Sequence, residues 1–351
     1  MRYWQIAAGG YGRDYADKYF LRHGLAFVGG KPYIERLKEI EVEDRIFLKC
    51  GASEVRAIGK VEERAGKHGG VEESMEGERG WLMDFDGWEL PAYCFVEWHE
   101  VPEAKRNQPR LVRRGTIKAM HDKGLKDLAE QILVTPARQL EGKEPQRTKQ
   151  VTDEEIIEFL MGQGLRPGAA EELSATLNRV RRLAHYYYHS YGEKPGWDYV
   201  REHETRTFLI VPLLLALGWA EQQIKIELSI ADRRRVDIAC FPKPYPMVKD
   251  EECCLVVESK GFSQGLDYAA GQAKAYAQSF PACQVVSVSN GYCYKAFARL
   301  EDGSFAERPT AYVNLLKPRD KYPLDPQNVE GALEALRLLL PPHLSQDAQN
   351  S

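Results

Sequence analysis

The chain has 351 residues, 43% hydrophobic and 28% charged, the balance of an ordinary folded protein rather than a disordered or membrane-embedded one. That length suits two domains, each able to bury its own core. A formal net charge of −4 excludes whole-surface attraction to nucleic acid, so any such binding must come from local basic clusters.

Met1 leads straight into the strand-like Tyr3-Trp4-Gln5-Ile6, with no basic n-region or long apolar stretch, which predicts a cytoplasmic protein with no membrane association. Short apolar runs at 3–8, 26–28, 45–50, 55–61 and 92–99 alternate with Gly-rich breaks and read as strands of a small mixed β domain. A helix is expected over 14–23, and 65–80 is a charged loop without periodicity. From Ala104 to Lys118 every charged side chain is positive, including Arg113 and Arg114, which makes this stretch either a phosphate-contacting segment or a solvated connector. A helical patch over 118–132 closes a first domain at 1–134, and the polar, Pro-containing 135–151 reads as a linker.

Thr152 and Glu155 ahead of Ile156, Ile157 and Leu160 form a capping-box start for a second domain over 152–351. The next helix interleaves Arg179, Arg181 and Arg182 with Tyr186, Tyr187, Tyr188 and Tyr191, either a surface that tracks a nucleic-acid backbone or a packed aromatic face with a solvated edge. Between Val200 and Phe297 the elements read helix, three strands, helix, two strands. The seven cysteines are odd in number and lack zinc spacing, so they are expected as reduced core thiols.

Three residues in this second half carry chemistry: Asp237 in one strand, and Glu258 and Lys260 at the end of the next. Residues two apart in a strand share a face, and a hairpin neighbour brings Asp237 beside them. Two adjacent carboxylates repel unless a cation lies between them, and oxygen donors from Asp237, Glu258 and the Ser259 backbone carbonyl suit Mg²⁺, with Mn²⁺ as a substitute. Lys260 would orient or polarise an attacking water. Glu204, early in the preceding helix, is either a further ligand or an acid favoured by the helix dipole.

The runs 203–219, 234–240, 256–261 and 272–276 together resemble the PD-(D/E)XK nuclease superfamily, with the nuclease domain of type I restriction motor subunits as the nearest likeness, over roughly residues 199–297. The resemblance implies an α/β core of αβββαβ order with added helices. It also implies a Mg²⁺-dependent endodeoxyribonuclease with Asp237, Glu258 and Lys260 as the catalytic triplet, Glu204 as the helix acid, and Gln272 and Tyr276 as the element near the DNA backbone. Gln272 and Tyr276 are four apart and share a helix face in any case. One departure is Val236 where members of the superfamily often have Pro. No G-x-x-x-x-G-K-[ST] loop is present, so ATP-driven translocation by that route is not expected.

The segments Tyr3-Trp4-Gln5-Ile6, Gly9-Gly10-Tyr11-Gly12, 42–47 and 57–61 are similar to EVE-type domains of the PUA-like superfamily, a small β-barrel known as a reader of modified bases. Such a reader stacks a flipped base between rings and bonds its edge. Trp81, Trp88 and Asp84 are the expected pocket wall, with Trp4 and Tyr11 next. The combined expectation is a modification-dependent restriction endonuclease acting on double-stranded DNA as a homodimer or higher oligomer. The alternatives are a nuclease for unmodified DNA and an inactive nucleic-acid-binding protein.

Overall fold

A computed structural model of the chain describes residues 1–8, 16–28, 31–64, 66, 68–71, 83–90, 92–109, 111, 116–139, 148–189, 200–230, 234–245, 247–262 and 264–342. The chain divides into two compact units, Met1–Arg147 and Thr148–Ser351, each with its own main sheet, so that the whole is of mixed α/β class.

The first unit contains β1 (Tyr3–Ala7), α1 (Ala16–His23), β2 (Leu25–Val28), α2 (Lys31–Lys38), β3 (Arg45–Cys50), β4 (Glu54–Val61), β5 (Gly69–Val71), β6 (Met83–Phe85), β7 (Trp88–Leu90), β8 (Ala92–Glu100), β9 (Ile117–Ala119) and α3 (Lys123–Leu133). Its sheet runs β2-β8-β4-β3-β1-β9, with β5 also on β8, and only β1 and β3 pair in parallel. Helix α3 buries Leu125, Leu128, Ala129 and Ile132 against Phe47, Val55 and Ile58 of β3 and β4. The helix expected from 118 starts later: Ile117–Ala119 pairs with β1, and the Asp122 carboxylate caps α3 by accepting from Leu125 N at 2.9 Å. Helix α2 is an element that the sequence reading did not include. Residues expected in the linker are fastened at both ends. Arg138 N donates to Trp98 O at 2.8 Å, and Lys149 N donates to the Asp320 carboxylate at 2.7 Å.

The second unit contains α4 (Asp153–Gly162), α5 (Pro167–His189), α6 (Glu202–Thr205), α7 (Val211–Ala216), β10 (Ile224–Ser229), β11 (Arg235–Cys240), β12 (Leu255–Ser259), α8 (Asp267–Ala277), β13 (Val285–Ser289), β14 (Cys293–Ala298), β15 (Ala311–Asn314) and α9 (Ala332–Arg337). The capping box forms: Glu155 N donates to Thr152 Oγ at 3.2 Å and Thr152 N to the Glu155 carboxylate at 2.8 Å. The sheet follows chain order from β10 to β15, antiparallel throughout except for β12 and β13, which α8 connects in parallel. Leu255, Val256 and Val257 are fully buried, as a strand covered on both faces requires, so polar side chains appear only where β12 runs out, at Glu258 and Ser259. The carboxyl end of a parallel strand is where open α/β sheets leave a crevice. All seven cysteines are free and buried, and burial pushes the Cys50, Cys94, Cys254 and Cys283 thiols up to about 12. Among the described residues no helix is long and apolar enough to cross a membrane.

Candidate active site

Three acids line up across the strands. The β11–β12 ladder pairs Ile238 with Val257, which sets Asp237 opposite Glu258. The β10–β11 ladder pairs Leu228 with Val236 and Ile226 with Ile238, which sets Glu227 opposite Asp237. Residues directly opposed in antiparallel strands project to one face, which puts Asp237 beside Glu258, and the Arg206 guanidinium shared by Glu227 and Asp237 brings Glu227 into the same row. Lys260, just past β12, reaches back to donate to Glu258 Oε1 at 3.0 Å.

The helix above the row supplies partners through its i, i+4 spacing. Glu202 and Arg206 share a face. Glu202 accepts from Lys260 Nζ at 3.4 Å. Arg206 donates to Asp237 Oδ1 at 2.6 Å, to Glu227 Oε1 at 3.0 Å and to Ser259 Oγ at 3.2 Å. The second oxygen of Asp237 accepts from Ser259 N at 2.8 Å and Ser259 Oγ at 2.7 Å. Glu204, two residues on from Glu202, accepts from Arg201 N at 3.1 Å, so the expected helix acid caps the helix, and it is Glu202 that bonds the lysine. Gly291, in the turn between β13 and β14, has φ +96, and a Cβ there would meet Leu209 Cδ1 at 2.5 Å and Thr205 Cγ2 at 2.8 Å. Only glycine lets this turn press on the helix that carries Glu202 and Arg206.

The electrostatics are those of crowded, buried acids. Burial and the neighbouring Asp237 charge, helped by Glu202 and opposed by Lys260, push the Glu258 carboxyl up to about 7. Burial works against the Lys260 ammonium, but Glu258, Glu202 and Asp237 outweigh it and hold its pKa above the ordinary lysine value, so it stays charged near neutrality. Glu258 is 3% exposed, and its Oε2 is buried without a hydrogen-bond partner. An orphaned carboxylate oxygen beside a second carboxylate is a place where a hard cation would relieve both desolvation and repulsion. Among the described residues no group of three or more His, Cys, Asp or Glu is gathered as a metal cage. Asp237, Glu258 and the Ser259 carbonyl fit the smaller demand of an ion that keeps several waters, as Mg²⁺ does.

Other expected site residues land in different places. Gln272 is exposed on α8 and donates to the Tyr276 hydroxyl at 2.8 Å, and the Arg234 guanidinium lies 5.5 Å from the Tyr276 ring centroid, so amide, ring and cation form one surface group. Arg181 is a correction to the backbone-contacting set: its guanidinium is spent on the Asp153 carboxylate and on Leu315 O at 2.8 Å, tying α5 to α4. Arg182 is exposed on the same helix. Tyr187 packs edge-on against Phe262 at 5.5 Å, and Phe262 on Tyr292 at 4.7 Å, so part of the aromatic stripe is a packed face. Trp4 is a correction to the base pocket: it is 2% exposed and donates from its indole to Asp44 at 2.8 Å within the first core. Asp84 is buried and accepts from Gly87 N at 2.7 Å, shaping the β6–β7 turn. Tyr11, Trp81, Arg113 and Arg114 lie outside the described residues, and of Trp88 only its place in β7 is described.

Glu202, Arg206, Glu227 and the Ser259 hydroxyl are the site residues that the sequence did not single out. The i, i+4 relation of Glu202 and Arg206 was a visible signal. Comparison with protein-family models, with curated proteins and with solved structures gives no match.

Proposed function

We propose that the second unit is a PD-(D/E)XK-type endonuclease that hydrolyses DNA phosphodiester bonds with Mg²⁺. The observation that carries this reading is the meeting of Asp237 and Glu258 on adjacent strands with the charged Lys260 3.0 Å from Glu258. Asp237, Glu258 and the Ser259 carbonyl would hold the ion. When bound, it would acidify water and neutralise charge on the scissile phosphate. Lys260, kept charged by three acids, would orient the attacking water and face the phosphate. Arg234, Tyr276 and Gln272 offer a cation, a ring and an amide to the DNA backbone.

The first unit, read as an EVE/PUA-like domain, would supply recognition of a modified base, making the chain a modification-dependent restriction endonuclease. Two copies would be needed to cut both strands, since one site cuts one strand. The test is cleavage of matched unmodified, methylated, hydroxymethylated and glucosylated DNA with Mg²⁺ or with chelator. Cutting restricted to one modified substrate is expected. Equal cutting of all four substrates would leave the nuclease and remove the reader. Asp237→Ala and Lys260→Ala should each abolish cleavage, by about 10² to 10³ or more, while DNA binding survives. Full activity in either variant would remove the nuclease site itself.

A further inference from the structure

Two backbone irregularities converge on one carboxylate. Between α6 and α7 the helix widens into a π turn at Arg206–Ile210, where Val211 N donates to Arg206 O. Pro212 gives a local cause, since it has no N–H for the Phe208 carbonyl. In β10, Glu227 takes φ +53, a left-handed conformation that non-glycine residues rarely adopt inside a strand. Their side chains meet: Arg206 donates to Glu227 at 3.0 Å, and the same guanidinium donates to Asp237 at 2.6 Å.

Arg206 is 6% exposed, so its permanent charge is removed from water and needs acceptors. It has three: Glu227, Asp237 and the Ser259 hydroxyl, which itself donates to Asp237 at 2.7 Å. Arg235 takes the other Glu227 oxygen at 3.1 Å from the solvent side, so two guanidinium groups balance two carboxylates. The result is a closed ring of Arg206, Asp237 and Ser259, anchored at Glu227. It fixes both torsions of the Asp237 side chain.

We infer that Arg206, anchored by Glu227, is a positioning residue that holds the Asp237 carboxylate in the orientation that binds the divalent ion. This rests on the reading of Asp237 as a metal ligand. A planar, five-donor guanidinium can grip two carboxylates and a hydroxyl at once, which an ammonium cannot. Lysine at 206 would therefore keep the charge and lose the orientation.

The experiment is calorimetric titration of Mn²⁺ into the full chain, without DNA, for wild type, Arg206→Lys, Arg206→Ala and Glu227→Gln, with Asp237→Asn as the control that removes the ligand. Arg206→Lys is expected to weaken Mn²⁺ binding by about tenfold or more, the usual loss when a group orienting a metal ligand is removed. Glu227→Gln, which preserves shape and folding best, should give a smaller loss in the same direction, and its crystal structure should show Asp237 in more than one rotamer. Unchanged or tighter Mn²⁺ binding in folded Arg206→Lys and Glu227→Gln would overturn the inference, since the guanidinium would then be only a brace or a competitor of the ion. If wild type and Asp237→Asn bind Mn²⁺ equally or not at all, the nuclease reading itself fails, a result distinct from a failure confined to Arg206 and Glu227.

Discussion

Glu258 carries the clearest consequence at the scale of a single residue. An exposed carboxyl in the unfolded chain keeps its ordinary value of about 4.5, whereas in the folded protein burial and the Asp237 charge raise it to about 7. The folded state then binds the proton more tightly, so stability from this group is fully present below the unfolded value and is lost as pH rises from about 4.5 to about 7. In chelator at pH 8, Glu258→Gln should therefore be more stable than wild type, by on the order of 2–3 kcal/mol. The gap should close towards pH 5. Thermal melts of the two proteins across that range check the sign, and a variant less stable than wild type at pH 8 would show that Glu258 is not strained by its neighbours. Asp237, Glu258 and Lys260 could be picked out of the sequence because the runs around them resemble a nuclease superfamily; an Asp followed by a Glu-x-Lys is by itself a common spacing. Ser259 could not, because a hydroxyl between two acids in sequence does not reveal that it bonds the neighbouring strand at 2.7 Å.

At the scale of elements, the site depends on the register of β10, β11 and β12 and on the depth at which the α6–α7 helix sits above them. The order of helix, three strands, helix and two strands was legible in the sequence, where short runs with β-branched residues such as Leu255–Val257 read as strands and longer periodic ones as helices. The pairing of Glu227 with the row was not. A left-handed residue at the middle of β10 breaks the local ladder, and no propensity at Glu227 announces it. That Glu202 bonds Lys260 while Glu204 caps the helix was not legible for a related reason, since one turn of helix carries both acids. Gly291 controls that docking. Gly291→Ala should destabilise the second unit by roughly 1–3 kcal/mol, since it combines a positive φ with a clash on Leu209 and Thr205. Denaturant melts measure the loss, and a neutral substitution would show that the turn does not set the helix.

At the scale of the whole molecule, two units with separate cores predict separable responses. Glu258→Gln and Gly291→Ala should shift only the calorimetric transition of the second unit, leaving that of the first where it is. The first unit offers a test of its own. Trp88→Ala and Trp81→Ala should each weaken binding of a modified site by about 1–3 kcal/mol if these rings stack on the base, with the fold kept. Unchanged affinity would remove them from the pocket, as core burial already does for Trp4. The pocket was the least legible part of the sequence because rings serve cores and bases equally well, and a tryptophan bonded to Asp44 reads the same in one dimension as a free one.

The measurement that bears most directly on the account is anomalous diffraction from crystals of the full chain grown with Mn²⁺. An ion bound about 2 Å from oxygens of both Asp237 and Glu258, with Lys260 adjacent, is the predicted result. Density for the ion elsewhere, or no ion between Asp237 and Glu258, would contradict it.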